Sequence, residues 1–575
     1  MGKKISKKSQ QQSFLQGSFI LVIATMLVKV IGAVYRIPLG ELLDTTGMGY
    51  YSTAYDIYVP MYSIAMAGLP IAISRIVSEH VAAGRYRHVK KTLNIAKAAF
   101  FVTGGTGFLL MVTLAFLLTG NGVFNKGTLP SVLCIAPCLI FCCIMSAYRG
   151  YYEGLRNMTP TAISQVLEAL GKLIFGYGFA FVILKTTGDY SYAAAGALLG
   201  ISIGTAASAL YLEIKYRVTG KCVFGEEEIK NSPEVDSNKQ ILKTLIMVAI
   251  PIVLGSLVNN VSSLIDVAMV QSQLSAAIEK SPEQFATAYQ GLIAYEEKTA
   301  LAAGRVFNWK VDLPNSLYGA HRGFAFSIYN LVPSLTSVLG VSAIPILATA
   351  WTKRDAAEIK QNVNTMLRTT AIVAIPAGCG IIAMSGEILD ILYSNPYAVQ
   401  IATPNLRVLG ICAIFAGLNG PLTNMLQAIG KQSVPLKNIA VGAVLKIVIN
   451  FLLVGTPSIN IFGVPIGTTV CYAYICVANF ICFAKYSGVV PNLLLSVGKP
   501  LICGATCGLT AFFVNYGLGK IGLGSSISTL ISIAFAGFVY VIMLFLTAAI
   551  TKNDIISLPK GKKIVKVLEN LKLMR

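Results

Sequence analysis

The sequence predicts an all-α integral membrane protein with about fourteen transmembrane helices. Hydrophobic residues make up 55% of the 575-residue chain, charged residues only 12%, and the mean hydropathy is +0.68. A soluble chain carries about 25% charged residues. The apolar runs are ~20 residues long, as a membrane-spanning helix requires, and the ten-residue alternation of a membrane β-barrel is missing.

The apolar runs define the spans in chain order. The first run is interpreted as a membrane helix and not as a cleaved signal peptide, because Lys29 interrupts it and no small-residue cleavage site follows. The predicted spans are 14–36, 50–77, 93–119, 129–152, 160–184, 191–217, 241–270, 317–350, 366–393, 403–429, 434–455, 463–485, 493–518 and 524–550.

Basic residues predict the orientation of these spans. Lys3, Lys4, Lys7 and Lys8 precede the first span, and further lysines and arginines concentrate in the even-numbered loops and the carboxy-terminal tail. Cytoplasmic loops carry this excess, so both termini are expected in the cytoplasm. The net charge of +21 is assigned to this asymmetry, and no nucleic-acid partner is expected.

A repeated pattern marks spans 5 and 11 as equivalent helices. Pro160 is followed twelve residues later by Lys172, and Pro435 is followed eleven residues later by Lys446. The two halves of the chain are then spans 1–6 and spans 7–12. Because each half has an even number of spans, both halves enter the membrane from the same side. This pattern predicts two parallel six-helix lobes related by an axis along the membrane normal.

The repeats also predict the domain boundaries. An outer insertion at 271–316 has the length of a short surface helix or two, and both function and disorder remain open for it. The domains are an amino-terminal lobe at 1–217, a polar cytoplasmic linker at 218–240, a carboxy-terminal lobe at 241–485 that contains the insertion, spans 13 and 14 within 486–550, and a basic cytoplasmic tail at 551–575.

A glycine stripe in span 6 bears on oligomeric state. Gly196, Gly200 and Gly204 recur at four-residue spacing, which allows close approach of a neighbouring helix. We assign the stripe to packing within one bundle rather than to a dimer interface. A monomer is therefore expected.

Four basic residues inside the spans are the main candidates for substrate binding. Lys172 and Lys446 lie about twelve residues into their helices, ~18 Å from the ends. A charge at the bilayer centre costs roughly 2.5–3.5 kcal/mol, which favours a function. Lys29 and Arg36 share one face of span 1, because residues i and i+7 align on a helix. These residues predict a cationic cavity between the two bundles for a phosphate-bearing substrate.

The remaining cations near the helix ends are interpreted as anchors. Their long side chains reach the membrane surface from the first or last turns of a helix. They are Arg75, Lys97, Arg322, Arg368 and Arg407.

Three acids within the spans support an alternative in which the bases are neutralised inside the protein. Glu168 lies four residues before Lys172, so the two can pair on one helix face. Asp56 is a candidate partner of Arg36, and Asp266 of the lysine in span 11. Asp266 is equally a candidate for proton or sodium coupling.

The sequence lacks the motifs of an enzyme. It contains no phosphate-binding Walker loop, no HExxH motif and no nucleophile elbow. The twelve cysteines lack the histidine partners of a metal site, since the chain has only three histidines. We therefore expect a transporter without a cofactor, driven by the membrane potential or by a gradient of H⁺, Na⁺ or the substrate.

Four segments are distinctive. They are FLQGSFILVIATMLVKVIGAVYRIPLG in span 1, AGLPIAISRIVSEHVAAGR in span 2, YYEGLRNMTPTAISQVLEALGK entering span 5 and LQAIGKQSVPLKNIAVGAVLKIVINFLLV entering span 11. Together they resemble the SpoVB/MurJ-like polysaccharide-biosynthesis flippases, which share a superfamily with MATE exporters and O-antigen flippases. The resemblance covers residues 14–550. It implies fourteen helices, two lobes that alternate access, and transport of an undecaprenyl-pyrophosphate-linked cell-wall sugar, typically lipid II.

The resemblance also implies site residues. Lys29 and Arg36 fall where MurJ-type proteins carry arginines in span 1, beside a basic cavity for pyrophosphate. The chain departs from the pattern near Ile64, where an arginine is missing, and at Asn330, which stands where span 8 carries an arginine. By this correspondence, Asn330 is a further candidate for substrate binding. Lys446 occupies a helix where some relatives place sodium ligands, which disfavours a sodium site in this helix.

The predicted function is a flippase in the bacterial plasma membrane, in contact with membrane lipids, that moves such a precursor to the outer leaflet. A flippase for another polysaccharide or O-antigen would differ only in the sugar. A MATE-like drug or cation antiporter would need an acidic cavity, and a glycosyltransferase or polymerase would need a recognisable carboxylate pattern in the insertion. A non-transporting scaffold for wall or spore assembly is the further alternative.

Overall fold

The regular structure is helical throughout the residues that the structure describes. The predicted linker and tail, and the lysines before span 1, lie largely or wholly outside these residues. In the computed structural model, the described residues are 14–67, 69–218, 232–233, 236–342 and 344–550.

Twenty-two α-helices can be followed along the described residues. The first eight are α1 (Phe14–Ala67), α2 (Leu69–Ala82), α3 (Tyr86–Gly120), α4 (Leu129–Ile135), α5 (Cys138–Gly154), α6 (Thr159–Gly171), α7 (Tyr177–Thr187) and α8 (Tyr190–Val218). The others are α9 (Asn238–Lys280), α10 (Pro282–Ala288), α11 (Gln290–Ala302), α12 (Trp309–Gly319), α13 (Phe326–Tyr329), α14 (Leu331–Ser342), α15 (Ile344–Lys353), α16 (Ala356–Ala383), α17 (Ser385–Leu392), α18 (Pro396–Ala428), α19 (Ser433–Val454), α20 (Gly463–Ser487), α21 (Lys499–Lys520) and α22 (Ser525–Leu546).

The predicted all-α membrane fold is confirmed. Eleven helices among the described residues are long and apolar enough to cross a membrane. Fourteen predicted spans are consistent with this number, because three spans are not counted separately among the eleven. Spans 1 and 2 run together in α1, span 7 lies in α9, which is not one of the eleven, and span 8 is divided among the shorter helices α12 to α15.

The two spans within α1 meet at a sharp corner. Asp44 has non-helical backbone angles, φ 52° and ψ −166°, and this separates α1 into an amino-terminal and a carboxy-terminal arm. The predicted loop between spans 1 and 2 is thus reduced to one residue. A left-handed φ is unusual for a residue with a β-carbon, so the surrounding contacts must hold this corner.

The described chain forms two compact units. The first unit contains residues up to 275 and 293–319, and the second contains 276–292 and residues from 320 onward. The units therefore do not divide at the predicted linker, since most of α9 lies in the first unit. One reason is that Gln271 of α9 donates a 2.6 Å hydrogen bond to Thr53 of α1. The equivalence of the two six-helix lobes stays a prediction.

The glycine stripe of α8 packs within the first unit. A β-carbon on Gly200 would collide with the backbone of Gly176, and one on Gly204 would lie 3.0 Å from the carbonyl oxygen of Glu168. Glycine is therefore required where α8 crosses the helix that contains Lys172. The prediction that the stripe serves packing within one bundle is confirmed.

The predicted outer insertion is helical, and part of it covers the Asp44 corner. Glu296 of α11 is 4% exposed and accepts a hydrogen bond from the Thr45 hydroxyl. Asp44 is also buried. Burial, followed by repulsion from Asp44, raises the pKa of Glu296 to about 7, although the hydroxyls of Thr45 and Thr46 and the charge of Arg305 act in the opposite direction.

The raised pKa predicts a pH-dependent stability of the first unit. The folded state favours the protonated form of Glu296, so this residue stabilises the fold most at low pH. Its contribution to the free energy of unfolding falls as the pH rises from 4.5, the ordinary pKa, to about 7, the pKa in the folded state, and is fully lost above that. The whole change amounts to ~3 kcal/mol. We expect Glu296→Gln to raise the melting temperature relative to the unsubstituted protein at pH 8 but not at pH 5, measured by thermal unfolding in detergent.

The matched control is Glu297→Gln, which changes an exposed neighbour on the same helix. Its difference from the unsubstituted protein should not vary with pH. An equal pH response of the two variants would contradict the assignment to Glu296.

Candidate functional site

A cavity of about 350 Å³ lies within the first unit, between the two arms of α1 and the helices α5, α6 and α8. It is lined by aromatic hydroxyls and by charged side chains, which is unusual for the interior of a membrane protein. The polar lining residues are Thr25, Tyr35, Tyr55, Tyr58, Tyr62, Arg149, Gln165, Glu168 and Lys172.

Helical spacing places the tyrosines in a row along the carboxy-terminal arm of α1. Tyr51, Tyr55, Tyr58 and Tyr62 recur every three or four residues, which aligns them on one face. Consecutive ring centroids are 5.9, 5.9 and 5.4 Å apart. On the opposite arm, Tyr35 donates a 3.4 Å hydrogen bond to the carbonyl of Ala197.

Lys172 lies against these rings. Its Nζ is 4.9 Å from the ring centroid of Tyr35 and 5.3 Å from that of Tyr55, distances at which a cation is attracted to an aromatic face. Lys172 also begins a π-helical turn, Lys172–Gly176, between α6 and α7. Such turns are frequent at functional sites. The predicted intramembrane lysine of span 5 is therefore part of the cavity.

Glu168 forms its ion pair with Arg149, whereas the sequence analysis considered Lys172 as its partner. The Arg149 guanidinium donates to the Glu168 carboxylate at 3.0 Å and to the Ser164 hydroxyl at 2.9 Å. Arg149 reaches Glu168 from the neighbouring helix α5, while Lys172 lies over the tyrosine rings. Glu168 of α6 thus neutralises Arg149 of α5, and its predicted pairing with Lys172 is not the one that forms.

The two candidates of span 1 flank the cavity. Lys29 and Arg36 are partly buried, and the residues immediately before them, Val28 and Tyr35, line the cavity. The Arg36 Cζ lies 5.7 Å from the ring centroid of Tyr51. Arg36 therefore lies beside the tyrosine row, and Lys29 follows a residue that lines the cavity, but neither cation is itself a lining residue.

The candidate partner of Arg36 has a hydrogen bond to another helix. Asp56 is 2% exposed and accepts a 2.7 Å hydrogen bond from the Tyr318 hydroxyl of α12. A pairing of Asp56 with Arg36 stays a prediction.

The remaining candidates lie elsewhere. Asp266 is partly buried on α9 in the first unit. In the second unit, Lys446 is partly buried on α19, and Asn330 is exposed at the end of α13. A pairing of Asp266 with Lys446, and a role of Lys446 and Asn330 in binding, stay predictions.

The predicted anchors behave differently from one another. Arg75 is exposed and pairs with Glu79 at 2.9 Å, as an anchor at a helix end would. Lys97 pairs with Glu213 at 3.0 Å. Arg368 is only 5% exposed, so its interpretation as an anchor that reaches the membrane surface is wrong. The packing of the second unit encloses it.

Two features of the cavity were missed in the sequence. Arg149 was not singled out, although it lies within predicted span 4. The tyrosine row was also overlooked, although its three- and four-residue spacing is visible from Tyr51 to Tyr62. Aromatic residues in a membrane helix usually serve packing, so that spacing alone would not have identified a site.

Known proteins are similar to this chain in sequence and in fold. A family model described as polysaccharide biosynthesis protein matches residues 14–352, and the MatE model matches 320–452. Stage V sporulation protein B of Bacillus subtilis is 24% identical over 561 residues, which cover 96% of this chain and 98% of that protein. The lipid II flippase MurJ of Bacillus subtilis is 24% identical over 545 residues, which cover 92% and 94%.

Solved structures extend the likeness to the fold. A lipid II flippase MurJ in an inward closed conformation matches with a TM-score of 0.63 at 13% identity, over 92% of this chain and 98% of that one. An inward-facing multidrug resistance MATE family transporter matches with a TM-score of 0.56 at 13% identity, over 81% and 98%.

The buried ion pair of the cavity makes a testable contribution to stability. Arg149→Met leaves the Glu168 carboxylate without its partner, and Glu168→Gln does the same to the guanidinium. We expect each single change to cost ~3–5 kcal/mol of unfolding free energy, and the double change to cost clearly less than their sum. Denaturant titration in detergent micelles measures these differences.

The exposed pair Arg75–Glu79 provides the control. The same substitutions there, Arg75→Met and Glu79→Gln, should each cost less than ~1 kcal/mol. Additive effects at Arg149 and Glu168 would show that the two charges do not stabilise one another.

Proposed function

This chain belongs to the polysaccharide biosynthesis protein family, and we propose that it is a flippase for a lipid-linked cell-wall precursor. The substrate is an undecaprenyl-pyrophosphate-linked sugar, lipid II or a similar lipid-linked oligosaccharide, which moves from the inner to the outer leaflet. The observation that carries the proposal is the cavity of the first unit, where Lys172 lies over tyrosine rings.

The charges of this cavity suit an anionic group. Arg149 and Glu168 neutralise one another, so the cavity keeps the positive charge of Lys172. A cation held on aromatic faces still has N–H donors for phosphate oxygens. Lys29 and Arg36, which flank the cavity, add further positive charge for a pyrophosphate.

The rest of the proposed transport cycle uses both units. Lys446 and Asn330 of the second unit contribute to substrate binding, and Asp266 couples transport to an ion gradient or pairs with a base. The protein acts as a monomer in the bacterial plasma membrane with both termini in the cytoplasm. The relatives' names support the class of activity, since they denote a lipid II flippase, a multidrug transporter and a sporulation protein, and none denotes an enzyme.

A MATE-like exporter is the second candidate, because the MatE model matches residues 320–452. Export of a cationic drug would require an acidic binding cavity. The net positive charge in the cavity of the first unit favours an anionic substrate instead.

Removal of single cations tests the proposed function. We expect Lys29→Ala, Arg36→Ala and Lys172→Ala each to lower precursor exposure at the outer leaflet at least ~10-fold, because each removes a charge-assisted contact of ~1.5–3 kcal/mol. The measurement is the accessibility of the lipid-linked precursor to an external probe, in cells depleted of their own flippases and at matched protein levels in the membrane.

Lys185→Ala is the matched control, since Lys185 is an exposed lysine directly after predicted span 5, the span that contains Lys172. It should retain full activity. Unchanged precursor exposure in Lys29→Ala and Arg36→Ala would contradict the cationic site. Unchanged exposure on depletion of the protein itself would favour a drug exporter or a scaffold.

A further inference from the structure

A second, larger cavity lies entirely within the second unit. It has a volume of about 510 Å³, within the range of ~300–1,000 Å³ that is typical of small-molecule sites. Its walls are α10 and the start of α11, the first turns of α18, and the segment 457–462. These segments lie on the side that the charge distribution predicts to be outside the cell. We call this cavity the outer pocket.

The floor of the outer pocket is held in a fixed conformation. Asn460 has a left-handed backbone, with φ 45°, and is 5% exposed. Its side-chain oxygen accepts a 2.6 Å hydrogen bond from the Tyr289 hydroxyl, and its side-chain nitrogen donates to the Pro457 carbonyl at 2.9 Å. These contacts join the outer insertion to the loop after α19. A floor of this kind does not need to be ordered by a ligand.

One wall presents an aromatic ring. Tyr397 lies in the first turn of α18, which Asn395 caps by accepting a 3.0 Å hydrogen bond from the Tyr397 amide. The Tyr397 side chain is 38% exposed and packs against the backbone at Gly291, where any β-carbon would overlap the ring. The absence of a side chain at 291 therefore lets the ring line the outer pocket.

The remaining polar groups are neutral. None of the outer-pocket residues, all within the described part of the chain, carries a charge. Exposed amides and hydroxyls are supplied by Gln284, Thr287, Gln290, Gln400 and Ser458. Amides and hydroxyls both donate and accept hydrogen bonds. An uncharged ligand with many hydroxyls on a ring with an apolar face matches this combination, whereas an ionic ligand would find no counter-charge.

We propose that the outer pocket binds a neutral saccharide of one to three sugar units. The ring of Tyr397 stacks against the C–H face of a sugar, and Gln400, Gln284 and Ser458 bond to its hydroxyls. This site is separate from the cationic cavity of the first unit. It goes beyond the proposed function and does not depend on it, since the sugar can come from a transported precursor or from glycan already outside the membrane.

Direct binding tests the proposal. The full-length protein is placed in lipid nanodiscs, because alkyl-maltoside detergents carry sugar headgroups that would compete. Maltotriose and the β-1,4-linked trimer of N-acetylglucosamine are the probes, and calorimetry is the measurement. We expect saturable binding of at least one of them with a Kd of roughly 1 mM or below. A triuronic acid and triglycine should bind at least tenfold more weakly.

Substitutions locate the binding. Tyr397→Ala and Gln400→Leu should each weaken trisaccharide binding at least tenfold, and Gly291→Ala should do so by displacing the ring. Tyr397→Phe keeps the aromatic face and should bind nearly as well as the unsubstituted protein. Tyr516→Ala, an exposed tyrosine of the same unit outside the outer pocket, is the control. Gln400 is exposed, so Gln400→Leu tests the site without disturbing buried packing.

The proposal is overturned if neither trisaccharide binds, if Tyr397→Ala and Gln400→Leu both bind as the unsubstituted protein does, or if triglycine or the triuronic acid binds better. Once binding is established, the flipping assay separates the two sources of the sugar. Lower precursor exposure in Tyr397→Ala assigns the site to the transported precursor, and unchanged exposure assigns it to external glycan. Failure of the Lys29, Arg36 and Lys172 variants to affect flipping would leave the saccharide site standing.

Discussion

Charges inside a membrane must be stabilised within the protein, and the first unit meets this requirement in two ways. Arg149 and Glu168 form a buried ion pair that Ser164 supports, and Lys172 is held against the faces of Tyr35 and Tyr55. The charges of Arg149 and Glu168 cancel each other. Lys172 lies against neutral aromatic rings, so its positive charge remains in the cavity. The proposed recognition of a pyrophosphate depends on this division of roles.

The positions of these side chains depend in turn on close helix packing. Gly200 of α8 allows its backbone to lie against Gly176, just after the π-helical turn that starts at Lys172. Between the two arms of α1, the corner at Asp44 is covered by Glu296 of the outer insertion. The two arms of α1, which supply the tyrosines, are thus positioned by helix packing in the bundle and by the contact of Glu296 at the Asp44 corner.

The family assignment agrees with the resemblance seen in the sequence, and the fold of MurJ and MATE transporters agrees with the predicted bundle architecture. Among the site residues, Lys172 was predicted and lies in the cavity, but its predicted partner Glu168 pairs with Arg149. Lys and Arg compete for one carboxylate, and only the position of α5 decides which of them reaches it. The same holds for Arg368. Its position near a helix end does not show whether other helices cover its side chain, and in the structure they do.

The sequence by itself determined the class of the protein and the positions of most membrane helices, because hydrophobic length and charge distribution act locally along the chain. It also identified Lys172 as a cation inside the membrane, although it missed Arg149 and misjudged Arg368. Only the tertiary structure decided that Arg149 neutralises Glu168, that tyrosines of both arms of α1 surround Lys172, and that the outer insertion forms part of a neutral pocket with Tyr397. Those arrangements bring together residues far apart in the chain, and their energies depend on distances that helical periodicity does not contain.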